Sequence, residues 1–180
     1  MVSLGTTESH QFIKACSSVL PNDTIQRVMY DKMVQVPMPE VSAEDMAYGQ
    51  ALAAAVPGCN ADQPWRTTVV EYEPESQGSS STDVGDVSWV CPTAQIFTAT
   101  IIAQTPGHSW QMTTQGKTQR AKDMTVYASK VMAATVAELM TRPDVLAKAK
   151  EELAGRTGPE GYIPPIPKDV KPMAMNNFKK

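Results

Sequence analysis

With 180 residues the chain has the size of one domain, long enough to bury roughly 70% of the surface its unfolded form exposes, so size alone demands no covalent staple. A hydrophobic fraction of 42% and a charged fraction of 19% are ordinary for a globular protein, and a net charge of −3 argues against a nucleic-acid partner. No apolar run approaches the roughly eighteen residues of a membrane span, and the first twenty residues lack a basic stretch followed by an apolar one, so the expectation is a soluble cytoplasmic protein with no membrane partner.

In chain order, Ser9 to Val19 mixes polar and apolar residues around Phe12-Ile13 and predicts a short edge strand that ends in the turn Leu20-Pro21-Asn22. With Asn22 or Asp23 as N-cap, Ile25, Val28, Met29, Met33 and Val36 recur at three- and four-residue spacing and predict an amphipathic helix stopped by Pro37 and Pro39. A second helix is expected from Ser42, whose hydroxyl can accept from the amide of Asp45, through Met46, Leu52 and Ala53 to Val56. Trp65 to Tyr72 predicts a strand around Val69-Val70, and Glu73 to Ser81 a polar loop. Val87 to Val90 and Ile96 to Ile102, β-branched and apolar, read as two short buried strands.

From about Thr118 a long helix should carry Met124, Tyr127, Ala128, Val131, Met132, Thr135 and Leu139 on one face, until Arg142-Pro143 breaks and restarts it. A last helix is expected from Pro143 to Ala154, ending before Gly155. Prolines at 164, 165 and 167 then predict an extended surface tail over 158–180. The fold class expected is therefore α/β: one unit over 1–180, with a short mixed sheet flanked by helices. Eleven methionines against three phenylalanines point to a core filled by thioethers, and Cys16, Cys59 and Cys91, with no CxxC pair, to reduced thiols.

Two turns carry chemistry-bearing residues. In Ser81-Thr82-Asp83-Val84-Gly85-Asp86, two acids flank a glycine, which suits one carboxylate facing a cleft while the other caps or meets solvent; spacing alone favours plain turn chemistry. In Thr105-Pro106-Gly107-His108-Ser109, a histidine follows a chain reversal, where scaffolds present functional side chains, although a surface histidine is the stronger reading without more. His10, beside Ser9 and Gln11, is assigned to the surface. No GxSxG elbow, GxGxxG or GxxxxGK phosphate loop or internal repeat is present.

Taken together, Ser81 to Ser88, Pro92-Thr93-Ala94-Gln95, Thr105 to Gln111 and Ile166 to Pro172 resemble the C-terminal region of aminobenzoyl-glutamate utilisation protein B-like metal-dependent amidohydrolases, of the aminoacylase and carboxypeptidase-like zinc peptidase family. The segments Gly5 to Asn22 and Met132 to Thr135 are similar in the same order, so the resemblance covers nearly the whole chain. It implies an α/β catalytic domain interrupted by a lid and hydrolysis of an amide bond to an amino acid at a pair of divalent metals. Residues 1–20 would be a strand returning from the lid, and 21–157 the C-terminal part of the catalytic domain. Gly107-His108-Ser109 matches the setting of the family's last metal ligand, which implies His108 as a ligand of zinc or manganese, with cobalt also serviceable. Ser81, Thr82 and Asp83 are similar to the loop that borders the substrate.

The family's other ligands and its catalytic glutamate lie in an N-terminal half that has no counterpart here, as does most of the lid, so no catalytic residue is carried over. At about Ala121 and Asp123 the pattern would have a histidine and a glycine instead. The resemblance therefore implies a hydrolase portion, inactive alone and without tightly bound metal, acting on a small acyl-amino acid once an N-terminal half is supplied. The alternatives are a subunit that requires such a partner, and a non-catalytic binding module that keeps the substrate loop.

Overall fold

A computed structural model describes residues 10, 12–74 and 82–171. Among these residues there are six helices: α1 Asp23–Gln35, α2 Ala43–Ala55, α3 Val84–Ser88, α4 Trp110–Gln115, α5 Gln119–Thr141 and α6 Pro143–Thr157. Among the described residues there is no strand, which overturns the expected α/β class and its short mixed sheet.

Three of the four longer helices start where a polar side chain caps a backbone amide that would otherwise be orphaned. Asn22 settles the first choice of cap: its side chain accepts from Ile25 N at 3.2 Å and donates to Ala149 O at 2.9 Å, so one buried amide both starts α1 and ties it to α6. Ser42 accepts from Asp45 N at 3.0 Å to begin α2, and Thr118 accepts from Ala121 N at 3.1 Å to begin α5. Pro143 opens α6, where its missing N–H costs nothing. This last helix overruns the expected stop: Gly155 lies inside it, and the chain turns instead at Gly158, whose φ of 66° is the left-handed conformation glycine adopts without penalty.

The core sits where α1, α5 and α6 pack pairwise. Met29, Met124, Tyr127 and Val131 form its centre, with Met33, Val36 and Met38 against them, so the thioether-rich interior is observed. A second cluster joins α2 to the irregular chain through Ala53, Trp65 and Ile102. The indole N–H of Trp65 donates to Asp45 O at 2.9 Å. Its ring closes on Gly49 so tightly that a Cβ there would collide with it.

Each of the four expected strands fails for a local reason. Residues 12–22 are irregular because their partners are side chains of the 83–88 turn rather than a neighbouring strand. Val87 belongs to a helical turn, α3, closed by the Ser88 hydroxyl donating to Gly85 O at 2.6 Å. Residues 65–72 and 96–102 carry β-prone sequence, but β preference is a preference for packing against a paired neighbour, and neither has one. A glutamine takes that place at Gln95: its N–H donates to Gln26 Oε1 at 3.1 Å and its carbonyl accepts from Gln26 Nε2 at 3.0 Å. Beyond it, Thr100 N turns back onto Thr98 O at 2.8 Å, and Ile102 N is bound by Gln115 Oε1 at 2.7 Å.

Candidate functional site

The His108 turn is built by the residues on either side of it. Gln115, fully buried at the end of α4, accepts from Ile102 N and donates to Thr105 Oγ1 at 3.1 Å and to Gln111 O at 2.9 Å. The Thr105 hydroxyl donates to Ile102 O at 2.8 Å, and Ser109 both donates to Pro106 O at 2.6 Å and caps α4 through Met112 N at 3.2 Å. This lattice holds the loop in a conformation with two non-glycine residues at positive φ, Gln104 at 64° and His108 at 53°. Such residues cost about 1 kcal/mol or more each, and a backbone that retains them is over-determined by its surroundings. His108 is presented outward, exposed, on a rigid turn. Neither α4 nor Gln115 was expected from sequence; the signal available was Ser109, a residue type that caps helices, directly before Trp110.

The other turn is also anchored, through its acids. Asp83 is exposed and accepts from Lys14 Nζ at 2.6 Å and from Cys16 Sγ at 3.2 Å. The lysine holds its carboxyl below the usual carboxylate range, and Asp83 in turn pushes the Cys16 thiol up, keeping it a protonated and poor nucleophile. Asp86 takes the structural share: its Oδ1 accepts from Ser17 Oγ at 2.7 Å, Ser17 N at 3.2 Å and Tyr162 OH at 2.9 Å, which also lowers its pKa. One carboxylate thus joins the N-terminal segment, α3 and the C-terminal tail. Gly85 lies against the Ser17 carbonyl, and no side chain fits there. Thr82 is exposed and accepts from Val84 N at 3.3 Å, while Ser81 lies outside the described residues. No hydrogen bond or ion pair joins Thr82 or Asp83 to His108.

Concave surface is found elsewhere among the described residues. A charged groove of about 880 Å³ lies between α1 and α6. Three ion pairs lie within it: Arg27 with Asp23 at 2.8 Å, Arg142 with Asp144 at 2.8 Å and Arg156 with Glu152 at 3.1 Å. Glu152 accepts from the amides of Asp23 and Thr24 at 2.7 and 2.9 Å, a carboxylate on the positive end of α1. Tyr72 donates to Asp23 and lies under the Arg27 guanidinium at 4.5 Å; burial first, then the Asp23 bond, push its hydroxyl up to about 12. The second concavity, about 310 Å³, is apolar: Met33, Met38, Met124 and Tyr127 with residues of the 66–70 and 97–105 segments.

The donor set bears directly on the implied metals. Among the described residues no three His, Cys, Asp or Glu side chains converge on a point, so the residues present do not fit a complete metal centre, which needs three or four protein ligands.

Comparison with known proteins then places the chain. Its sequence is 32% identical, over 94% of its length, to a p-aminobenzoyl-glutamate hydrolase subunit of Escherichia coli strain K12. The chain is a homologue of that hydrolase subunit. The resemblance read from the turn motifs therefore holds, although the chain spans only 40% of the length of this relative. No family model and no solved structure matches the chain. Among the described residues no helix is long and apolar enough to cross a membrane.

Proposed function

We propose that this chain is part of a hydrolase that cleaves the amide bond of an aminobenzoyl or other N-acyl amino acid, residues 21–157 corresponding to the C-terminal part of its catalytic unit and 158–180 to a tail. The observation that carries the reading is identity to a p-aminobenzoyl-glutamate hydrolase subunit sustained over 94% of the chain. Amide hydrolysis requires an activated water and stabilisation of an oxyanion, and neither is assigned to any residue here. In the complete enzyme His108 would supply one ligand to a zinc or manganese centre whose other ligands lie elsewhere. That role is consistent with its outward presentation on a hydrogen-bonded turn. Ser81, Thr82 and Asp83 would border the substrate, the Lys14–Asp83 pair keeping that turn near neutral beside an anionic amino acid.

The 40% coverage favours a second reading, in which the chain is a subunit that is active only with a partner supplying the remaining ligands. Assay of the purified chain against p-aminobenzoyl-glutamate with added zinc or manganese should give no turnover. Co-expression with the part of the E. coli subunit that this chain does not match should restore it. In that assembled enzyme His108→Ala should lower both metal content and rate by at least about tenfold; unchanged metal stoichiometry would remove His108 from the site.

A further inference from the structure

Of the three tryptophans, two are spent inside the chain. Trp65 is 5% exposed and its indole N–H donates to Asp45 O at 2.9 Å, and the Trp89 indole N–H donates to Ser18 O at 2.9 Å. Trp110, the first residue of α4, is 67% exposed. Among the described residues its N–H donates to no protein group and its ring meets no other aromatic ring or cation. Tryptophan is highly buried on average, so the one left open is the informative exception.

Its place gives the exposure a meaning. Trp110 follows His108 by two residues, so their Cα atoms lie within about 7 Å of each other. The backbone that carries both is secured on each side: Ser109, between them, donates to Pro106 O and caps α4, and the buried Gln115 closes the far end of α4 onto residues 102, 105 and 111. An aromatic face on a backbone already ordered loses little further freedom when something settles on it. A flat ring with an unspent N–H recognises a second flat ring by offset stacking, and a carbonyl or carboxylate oxygen through the N–H. We propose that Trp110 is the specificity-determining residue for the acyl group of the substrate, stacking against an aromatic acyl such as aminobenzoyl in preference to an aliphatic acyl on the same amino acid. The proposal rests on the hydrolase reading above, in which His108 belongs to the site, and adds to it the substrate class: N-aroyl amino acids.

The test is proton–nitrogen NMR of the whole 180-residue chain, in which the indole signal missing from Trp110→Phe identifies Trp110. Titration with p-aminobenzoyl-glutamate should move that signal and leave those of Trp65 and Trp89 in place, because their N–H groups are already bonded. N-acetyl-glutamate at the same millimolar concentration should move none of the three. In the enzyme assembled by co-expression with the unmatched part of the E. coli relative, Trp110→Leu should lower the ratio of kcat/KM for p-aminobenzoyl-glutamate to that for N-acetyl-glutamate by at least about tenfold. Trp110→Phe, which keeps a ring, should recover most of that ratio, and circular dichroism of both isolated variants should match the parent chain. A Trp110 signal that stays still, equal shifts from the two ligands, or selectivity that survives Trp110→Leu would each overturn the proposal. A shift at Trp110 without any hydrolysis by the assembled enzyme would leave the aromatic platform standing and remove the hydrolase reading. Hydrolysis with an unmoved Trp110 signal and unchanged selectivity would do the reverse.

Discussion

Buried amides at Asn22 and Gln115 each join two parts of the chain, and their removal should be costly out of proportion to their size. Asn22→Ala removes the α1 cap and leaves Ala149 O without its donor, so unfolding in denaturant should show a loss of about 2–3 kcal/mol. Gln115→Leu keeps the volume but orphans Ile102 N; a loss of about 1–3 kcal/mol is expected, together with faster exchange across residues 102–109. An unchanged midpoint for Gln115→Leu would mean the His108 turn is not held as described. At Gln104 the positive φ predicts that glycine is more stable than alanine by about 1 kcal/mol.

Acid dependence follows from the anchored carboxylates. Asp23 is held below its ordinary value chiefly by the Tyr72 hydroxyl, and Asp86 by Ser17 and Tyr162. For Glu152, burial pulls upward but the bonds from Thr24 and Asp23 outweigh it and leave the pKa lowered. Folded values below the unfolded ones mean stability that is present above about pH 4.5 and lost as pH falls through the folded values. Thermal unfolding followed from pH 6 down to pH 2 should therefore show a falling limb that Glu152→Gln flattens. Tyr72 runs the other way: its contribution is full below its unfolded value near pH 10 and disappears as pH rises through about 12, where its ultraviolet titration should be found.

Among the elements, α5 shows how much of a helix a sequence pattern can assign. Met124, Tyr127, Val131 and Thr135 face the core as their spacing predicts, but Met132, expected beside them, is 43% exposed and continues with Val126, Val136 and Met140 along the opposite face. Among the described residues that face has no close neighbour, so polar substitutions there should change stability by less than about 0.5 kcal/mol; a larger loss for Val136→Asp would reveal a partner for α5. Helices α1, α2, α5 and α6 were legible because capping and periodicity are local. Helix α4, only six residues long, was not, since so short a stretch has too few residues to show a period.

In the whole molecule, the buried Arg120 illustrates what no local pattern contains. Its amide donates to Asp45 Oδ1 at 3.1 Å, and its guanidinium donates to Pro39 O at 2.7 Å and Arg66 O at 3.0 Å, drawing together α2, α5 and two connections far apart in sequence. Burial lowers its pKa and its Nε is left without a partner. Nothing in the run Gln119-Arg120-Ala121-Lys122 separates it from a solvated arginine. The same holds for Asp83 and Asp86: spacing marks both as turn acids, and only the assembled chain makes one exposed and the other the clasp between residues 17 and 162.

By itself the sequence determined the four longer helices, the Ser42 cap of α2, the methionine-rich centre and the motifs that make the chain a homologue of a hydrolase subunit, since capping, periodicity and motif identity are properties of neighbouring residues. Tertiary structure alone decided the fate of the β-prone segments and the separation of the site residues. A strand is a relation to a second strand, and a site is a convergence of distant side chains; residues 66–73 and 96–101 have the composition for the first and lack the partner, and His108 has the presentation for the second and lacks the converging ligands.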